Sequence, residues 1–356
     1  MKRQRKNSDS KEGKMGETLV ARSVKIFSVV CAYWTVSISL VFLNKYLLSS
    51  KDLKLDAPLF ITWYQCVTSV VVLFFLSLLG DKYPKIDKFP AFRIDLNISK
   101  QVLPLSIVFV GMITANNLCL KYLDVAFYNV ARALTTFFNV VFSYFILGQS
   151  TSMRAILCCG LIILGFSLGV REEGNIGELS YKGVMFGVIG SLFVCLNAIY
   201  TKRCMPAVDG NIWRLQLYNN VNAVFLFLPL ILLNAEHSII ASFTHLSDLY
   251  FWVMMTLSGV FGIGIGYVTG LQIKVTSPLT HNISGTAKAC VQTVIAVWLA
   301  ASNKSALWWS CNFMVLGGSG LYTYVKHADM KKKMEDELRA RAMDEEQKLI
   351  DKNNIV

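Results

Sequence analysis

Apolar residues in this chain run in long stretches, unlike the two-residue or 3.6-residue alternation of a water-facing strand or helix. Ten such stretches cover residues 24–43, 58–79, 102–120, 125–147, 155–170, 183–200, 215–233, 251–273, 278–301 and 307–325. A helix rises about 1.5 Å per residue, so about 20 apolar residues cross a hydrocarbon core roughly 30 Å thick. Each stretch is therefore predicted to be a transmembrane helix, and the fold class is an all-α polytopic membrane protein with ten transmembrane helices. Residues 1–23 form a polar, basic tail without an apolar signal-peptide segment or a small-residue cleavage site, so the first span is expected to remain as an anchor. The segment from 326 to 356, with KKKMEDELRARAMDEEQKLIDK, reads as a charged, helix-forming tail.

Composition and charge sharpen this picture. Apolar residues make up 54% of the chain and charged residues 16%, against roughly 25% charged in soluble domains, which excludes an ordinary globule. The net charge of +12 would suit nucleic acid if it covered a soluble surface, but the basic residues gather in tails and loops. Twenty-six Lys and Arg fall on the side of the N-terminus and seven on the other. That asymmetry predicts both termini in the cytosol and a lipid bilayer, not nucleic acid, as the surrounding partner. Eight of the nine cysteines lie in apolar stretches and only Cys204 in a loop. No CxxC pair or Cys/His cluster occurs, so no metal, cofactor or disulfide framework is called for.

The two halves of the chain share residues at an offset of 153: Leu43 and Asn44 with Leu196 and Asn197, Gly111 with Gly264, Lys121 with Lys274, Asn129 with Asn282, Cys158 with Cys311, and Gly165 with Gly318. An odd number of spans per half would invert the second half relative to the first. The expected organisation is a cytosolic tail (1–23), a first five-helix repeat (24–170), a lumenal connection (171–182), a second five-helix repeat (183–325) and a cytosolic tail (326–356). Inverted repeats of this kind are an alternating-access architecture with the substrate near the midplane.

Ionisable residues within spans are costly and are functional candidates. Arg132 in the fourth span and Lys288 in the ninth stand there with no Asp or Glu in any span. Two cations without counter-ions point to a water-filled cavity and an anionic ligand. Ser284, Gly285 and Thr286 precede Lys288 and supply hydroxyls and close approach for phosphate oxygens. Tyr218, Asn219, Asn220 and Asn222 open the seventh span; Asn can read a nucleobase edge and Tyr can stack on its face, while hydrogen bonding between helices is the plainer alternative. Asn129 adds polar lining, and the glycines from 259 to 270, among which Tyr267 sits, read as helix packing and a gate, not a phosphate loop. No nucleophile–base arrangement or lumenal carboxylate pair supports an enzyme.

At these residues the chain resembles the nucleotide-sugar transporters of the drug/metabolite transporter superfamily, over about residues 24–325. The resemblance rests on FLNKYLL (42–48), GMITANNLCLKYLDVAFYNVARALTTFFNV (111–140), LNAIYTKRCMPAVDGNIWRLQLYNNVNA (196–223) and GYVTGLQIKVTSPLTHNISGTAKACVQT (266–293). It implies that Asn219 and Asn220 read guanine and that Lys288 meets phosphates. It also implies antiport of GDP-fucose into the Golgi lumen against GMP, with another GDP-sugar or a sugar phosphate as the alternative cargo. A homodimer is one assembly that the sequence leaves open.

Overall fold

The computed structural model describes residues 2–49, 53, 55–82, 94–147, 151–176, 180–275, 278–301 and 304–353. It is all-α, with no strand among the described residues. The helices are α1 (Lys2–Ser49), α2 (Pro58–Lys82), α3 (Leu96–Tyr122), α4 (Val125–Ala133), α5 (Thr135–Leu147), α6 (Met153–Ile176), α7 (Tyr181–Cys204), α8 (Ile212–Leu233), α9 (Glu236–Ala241), α10 (Leu249–Val275), α11 (Pro278–Leu299) and α12 (Ala306–Asn353). Among the described residues eight helices are long and apolar enough to cross a membrane, so the chain is a multi-pass membrane protein. Of the ten expected spans, α11 and the start of α12 are not among those eight. Both carry polar residues toward the cavity, including Thr286, Lys288, Ser319 and Thr323.

The fourth predicted span is divided. At Leu134 the α4 helix tightens, its N–H donating to Ala131 O at 3.1 Å, before α5 begins. No Pro or Gly causes the break. The Ser191 hydroxyl of α7 donates to the same Ala131 carbonyl at 2.7 Å, so this carbonyl takes a second bond from inside the bundle at the point where the helix tightens.

Without a hydrophobic force between helices in lipid, close packing depends on small residues. On α7, Gly183, Gly187 and Gly190 form a stripe at helical spacing. A Cβ at these positions would lie 2.6 Å from Leu123, 2.7 Å from Ala131 and 2.8 Å from Asn116, so α3 and α4 seat directly on the α7 backbone. The pairs α3 with α7, α1 with α10, α2 with α8, and α6 with α12 form the frame. In the last pair a Cβ on Gly165 would meet Val315 at 2.8 Å and Cys311 O at 3.1 Å, while one on Gly318 would meet Ile162 at 3.0 Å and Cys158 O at 3.4 Å.

One end of the bundle, here the loop end, is tightly closed. Leu47, Leu48, Leu55, Leu120, Leu123, Phe127, Phe251 and Trp308 form a buried cluster there. Lys45 Nζ donates to Leu120 O and Leu123 O at 2.7 and 2.6 Å, capping the last carbonyls of α3, and Lys121 pairs with Asp56. Glu236 reaches from the start of α9 to the first turn of α2, accepting from Leu59 N at 3.2 Å and Phe60 N at 2.8 Å. Burial pushes its carboxyl above the usual carboxylate range, while those two backbone donors pull the other way. At the opposite, tail end, α12 runs on from the bundle to Asn353 as one helix, as its Glu, Lys and Arg content predicts.

The glycine contacts give a test of packing. Gly165→Ala should lower the thermal midpoint in detergent more than Gly318→Ala does. Overpacking of this kind typically costs about 1–3 kcal/mol. Gly317→Ala, with no atom within 4 Å of the added Cβ, should be neutral or stabilising. Equal midpoints for Gly165→Ala and Gly317→Ala would contradict the described α6–α12 contact.

Candidate functional site

A cavity of about 560 Å³ lies in the middle of the bundle, lined from α1, α3, α4, α5, α7, α10, α11 and α12. Val41 and Tyr128 belong both to its wall and to the packed loop-end cluster, which thus forms its floor; Asn139, Thr269, Tyr322 and Thr323 line it farther toward the tail end. Arg132 and Lys288 both face it, and no Asp or Glu is among its lining residues.

Each cation is held by neutral groups. Lys288 Nζ donates to Ser37 Oγ at 2.9 Å and to Gln292 Oε1 at 3.4 Å, and it lies 5.9 Å from the Tyr33 ring centre. Ser37 and Tyr33 are one helical turn apart on α1, so a single face of that helix serves Lys288. Arg132 Nη1 donates to Tyr128 Oη at 3.4 Å, also one turn away, and its guanidinium lies 5.8 Å from that ring. Between the cations, Asn129 Nδ2 bridges α4 to α11 through Thr293 Oγ1 at 3.2 Å and Ala289 O at 3.4 Å. Thr136 and Ser319 pair at 3.0 Å, and Thr135 Oγ1 is buried with no hydrogen-bond partner among the described residues. Two positive charges ringed by hydroxyls and amides form a site for a polyanion with polar substituents, such as a phosphorylated sugar or nucleotide. Chemistry on a bound molecule finds no carboxylate general base in this wall.

Of the residues predicted from the sequence, the structure brings Arg132, Asn129, Gly285, Thr286 and Lys288 together around this cavity. Ser284 lies just behind, accepting from Trp34 Nε1 at 2.9 Å, which ties α11 to α1. The seventh-span residues lie outside the cavity lining. Tyr218 is fully buried, and its hydroxyl accepts from Asp95 N at 2.9 Å at the start of α3. Asn222 accepts from Ser99 Oγ at 2.5 Å and donates to Ser99 O at 3.0 Å and Ser106 Oγ at 3.3 Å, the helix-to-helix bonding weighed as the plainer alternative. Asn220 donates to Gln216 O of its own helix at 2.8 Å. Asn219 is buried, and its carbonyl oxygen has no partner among the described residues. Tyr267 is 44% exposed and stacks on Trp213 at 4.9 Å, bracing α8 against α10. Gly266 packs against Gln216 and Gly259 against Thr68, in keeping with glycines used for helix approach. Tyr33, Ser37 and Gln292 were not predicted. Their signal was the helical spacing of Tyr33 with Ser37 and of Lys288 with Gln292, which makes sense only once α1 is known to face α11.

Residues 24–322 match the model of the Triose-phosphate Transporter family. A protein of Nematostella vectensis named GDP-fucose transporter 1 is 69% identical over 318 residues, covering 89% of this chain and 94% of its own. The GDP-fucose transporter 1 of Mus musculus is 56% identical, covering 92% of this chain and 90% of its own. A Drosophila melanogaster protein named GDP-fucose transporter, Golgi, is 50% identical, covering 88% and 93%. With a family match across nearly all the helical bundle and relatives aligned over most of their length, the chain belongs to the Triose-phosphate Transporter family, whose relatives here are named as transporters and not as enzymes.

Proposed function

We propose that this protein is an antiporter that carries GDP-fucose from the cytosol into the Golgi lumen in exchange for GMP. The observation that carries the proposal is the pair Arg132 and Lys288 in one cavity whose lining holds no carboxylate. A phosphate of the ligand supplies the missing negative charge. The names of the aligned relatives supply the sugar and, for the Drosophila protein, the compartment. The excess of Lys and Arg on the side of the termini supports cytosolic tails, so that the tail end faces the cytosol and the closed loop end the lumen.

Ten crossings as two inverted repeats, 24–170 and 183–325, are supported by the way the helices pair. Exchanging the halves turns the α3–α7 contact into α10–α1, and α3–α8 into α10–α2, while α2–α8 and α6–α12 map onto themselves; all of these contacts occur. Gly165 against Cys311 and Gly318 against Cys158 are likewise exchanged by the 153-residue offset. Such a frame can rock about the α6–α12 and α2–α8 contacts while the cavity stays near its axis. Exchange follows from charge. GDP-fucose or GMP neutralises Arg132 and Lys288 and allows the cavity to close over them, whereas closing it empty would strand two cations in a low-dielectric interior. Obligatory exchange is the consequence, because the unloaded carrier crosses slowly.

The phosphates fall to Lys288 and Arg132, with Asn129, Ser284, Gly285 and Thr286 around them. The base falls to Asn219 and Asn220, with Tyr218, Asn222 and Tyr267 bracing the helix that carries them. The carbonyl oxygen of Asn219, without a partner among the described residues, is an acceptor for the donors on the guanine edge. Because α8 lies outside the cavity lining, this contact requires α8 to turn inward when the ligand binds.

Two measurements decide these assignments. In proteoliposomes preloaded with GMP, counterflow of GDP-fucose should exceed that of other nucleotide sugars and of sugar phosphates. Lys288→Ala should reduce it at least tenfold in a protein of unchanged thermal midpoint; uptake within twofold of the parent would refute the role of Lys288, and faster counterflow of a sugar phosphate would refute the cargo. For the base, GMP and GDP should compete with labelled substrate at least tenfold better than UMP or CMP, since a mispaired buried amide costs about 1–3 kcal/mol. Asn219→Ala should erase most of that preference, and an unchanged ratio in this variant would move base recognition elsewhere.

A further inference from the structure

Lys304 lies between α11 and α12 at the loop end, yet its side chain is only 3% exposed. Its Nζ stands 3.1 and 3.4 Å from the two carboxylate oxygens of Glu173, at the end of α6, and 5.5 Å from the Trp308 ring centre. Trp308 Nε1 donates to Glu173 Oε1 at 2.6 Å, and Ser305 Oγ donates to Glu172 at 2.6 Å. Glu172, Glu173 and Trp308 belong to the closely packed α6–α12 pair, so these contacts tie Lys304, in the connection just before α12, to that pair. From there its ammonium reaches across to Asp124 Oδ2 at 3.7 Å. Asp124 belongs to a different element. It is the N-cap of α4, accepting from Phe127 N at 2.6 Å, and its carboxylate is 40% exposed where that of Glu173 is 6% exposed.

The bonds of Lys304 to Glu173 and to Asp124 thus differ in kind. The one to Glu173 is buried, short and internal to α6–α12. The one to Asp124 is longer, half in water and joins two elements, which is the sort of ion pair that biases a position yet breaks cheaply. We infer that Lys304 and Asp124 form the releasable latch of the loop-end gate, with Glu173 as the residue that positions Lys304. The inference rests on the alternating-access reading above but not on the choice of cargo.

Geometry also connects the latch to the cavity. Asp124 caps the first turn of α4 and Arg132 lies in its last, and the helix is only Val125–Ala133, about 12 Å long. The tightening at Leu134, where the backbone stays right-handed helical, marks the boundary between α4 and α5. An anion drawn to Arg132 therefore acts on one end of α4 while Lys304 holds the other, so occupancy of the cavity and release of the latch bear on the same small rigid piece.

The test uses the full chain in detergent, without substrate, with all nine native cysteines replaced, the exposed Cys31 and Cys290 by serine and the buried seven by alanine. A single reporter cysteine is placed either at Ala296, in the loop-end cluster, or at Thr286, in the cavity wall. Maleimide modification is followed by intact-protein mass. Asp124→Asn keeps a good N-cap and removes only the charge. It should speed modification at 296 at least threefold and slow it at 286 at least threefold, because a carrier that opens at one end closes at the other. Lys304→Met and Glu173→Gln should give the same opposed shift. The Asp124→Asn/Lys304→Met double variant should go no further than either single, as expected for two ends of one interaction. A rise at both reporters would mean a merely loosened fold, and that result, additive effects, or any response short of opposed threefold changes would overturn the latch. Failure of GDP-fucose counterflow would instead overturn the cargo and leave these rates standing.

Discussion

Arg132 and Lys288 sit inside an apolar bundle with hydroxyl, amide and ring partners but no carboxylate in the cavity wall, and most of the molecule follows from keeping them there. A cation in low dielectric without an anion is tolerable only beside water or a ligand that brings the charge. That requirement keeps a cavity open between the helices and lines it with Ser37, Thr135, Thr136 and Ser319.

The apolar frame was readable because the bilayer allows so few solutions. A run of about 20 apolar residues has little choice but to be a helix. The cations were readable for the same reason, since they break a rule that the rest of the span obeys. The division of the fourth span at Leu134 was not readable. It carries no Pro or Gly, and the side chain that bonds the backbone there, Ser191, lies 57 positions farther on in a different helix. The amides of the seventh span show the limit most clearly. Asn222 inside an apolar run requires partners, but spacing alone does not say whether they come from a ligand or from a neighbouring helix. The structure supplies Ser99 and Ser106 of α3, two serines that no spacing or pattern pairs with it. Tyr33 and Ser37 were hidden by the same ambiguity in reverse, as isolated hydroxyls in a span that become a site only opposite Lys288.

The two ends of the bundle are built from different materials. The loop end is densely packed, and several of its charges cap helix termini: Lys45 on the carbonyls of α3, Glu236 on the amides of α2, Asp124 on α4. The walls toward the tail end are polar, with Asn139, Thr269, Tyr322 and Thr323 facing the cavity. Helix ends leave unsatisfied backbone groups wherever they occur, so a gate assembled from helix ends has to satisfy them with side chains. Those side chains then become the parts that can let go.

The contacts of Gly165 with Cys311 and of Gly318 with Cys158 also bear on how inherited variation in this protein should be read. The two glycines stand far apart in the chain, yet each presses on the stretch of the facing helix just before the other, so they behave as one locus written twice. An allele that adds bulk at either position strains a shared seam. The changes able to relieve it lie on the facing helix, around 158–162 or 311–315, and not among its own sequence neighbours. A damaging substitution in one half and its suppressor in the other would therefore look unrelated on a linear map while being immediate neighbours in the folded protein.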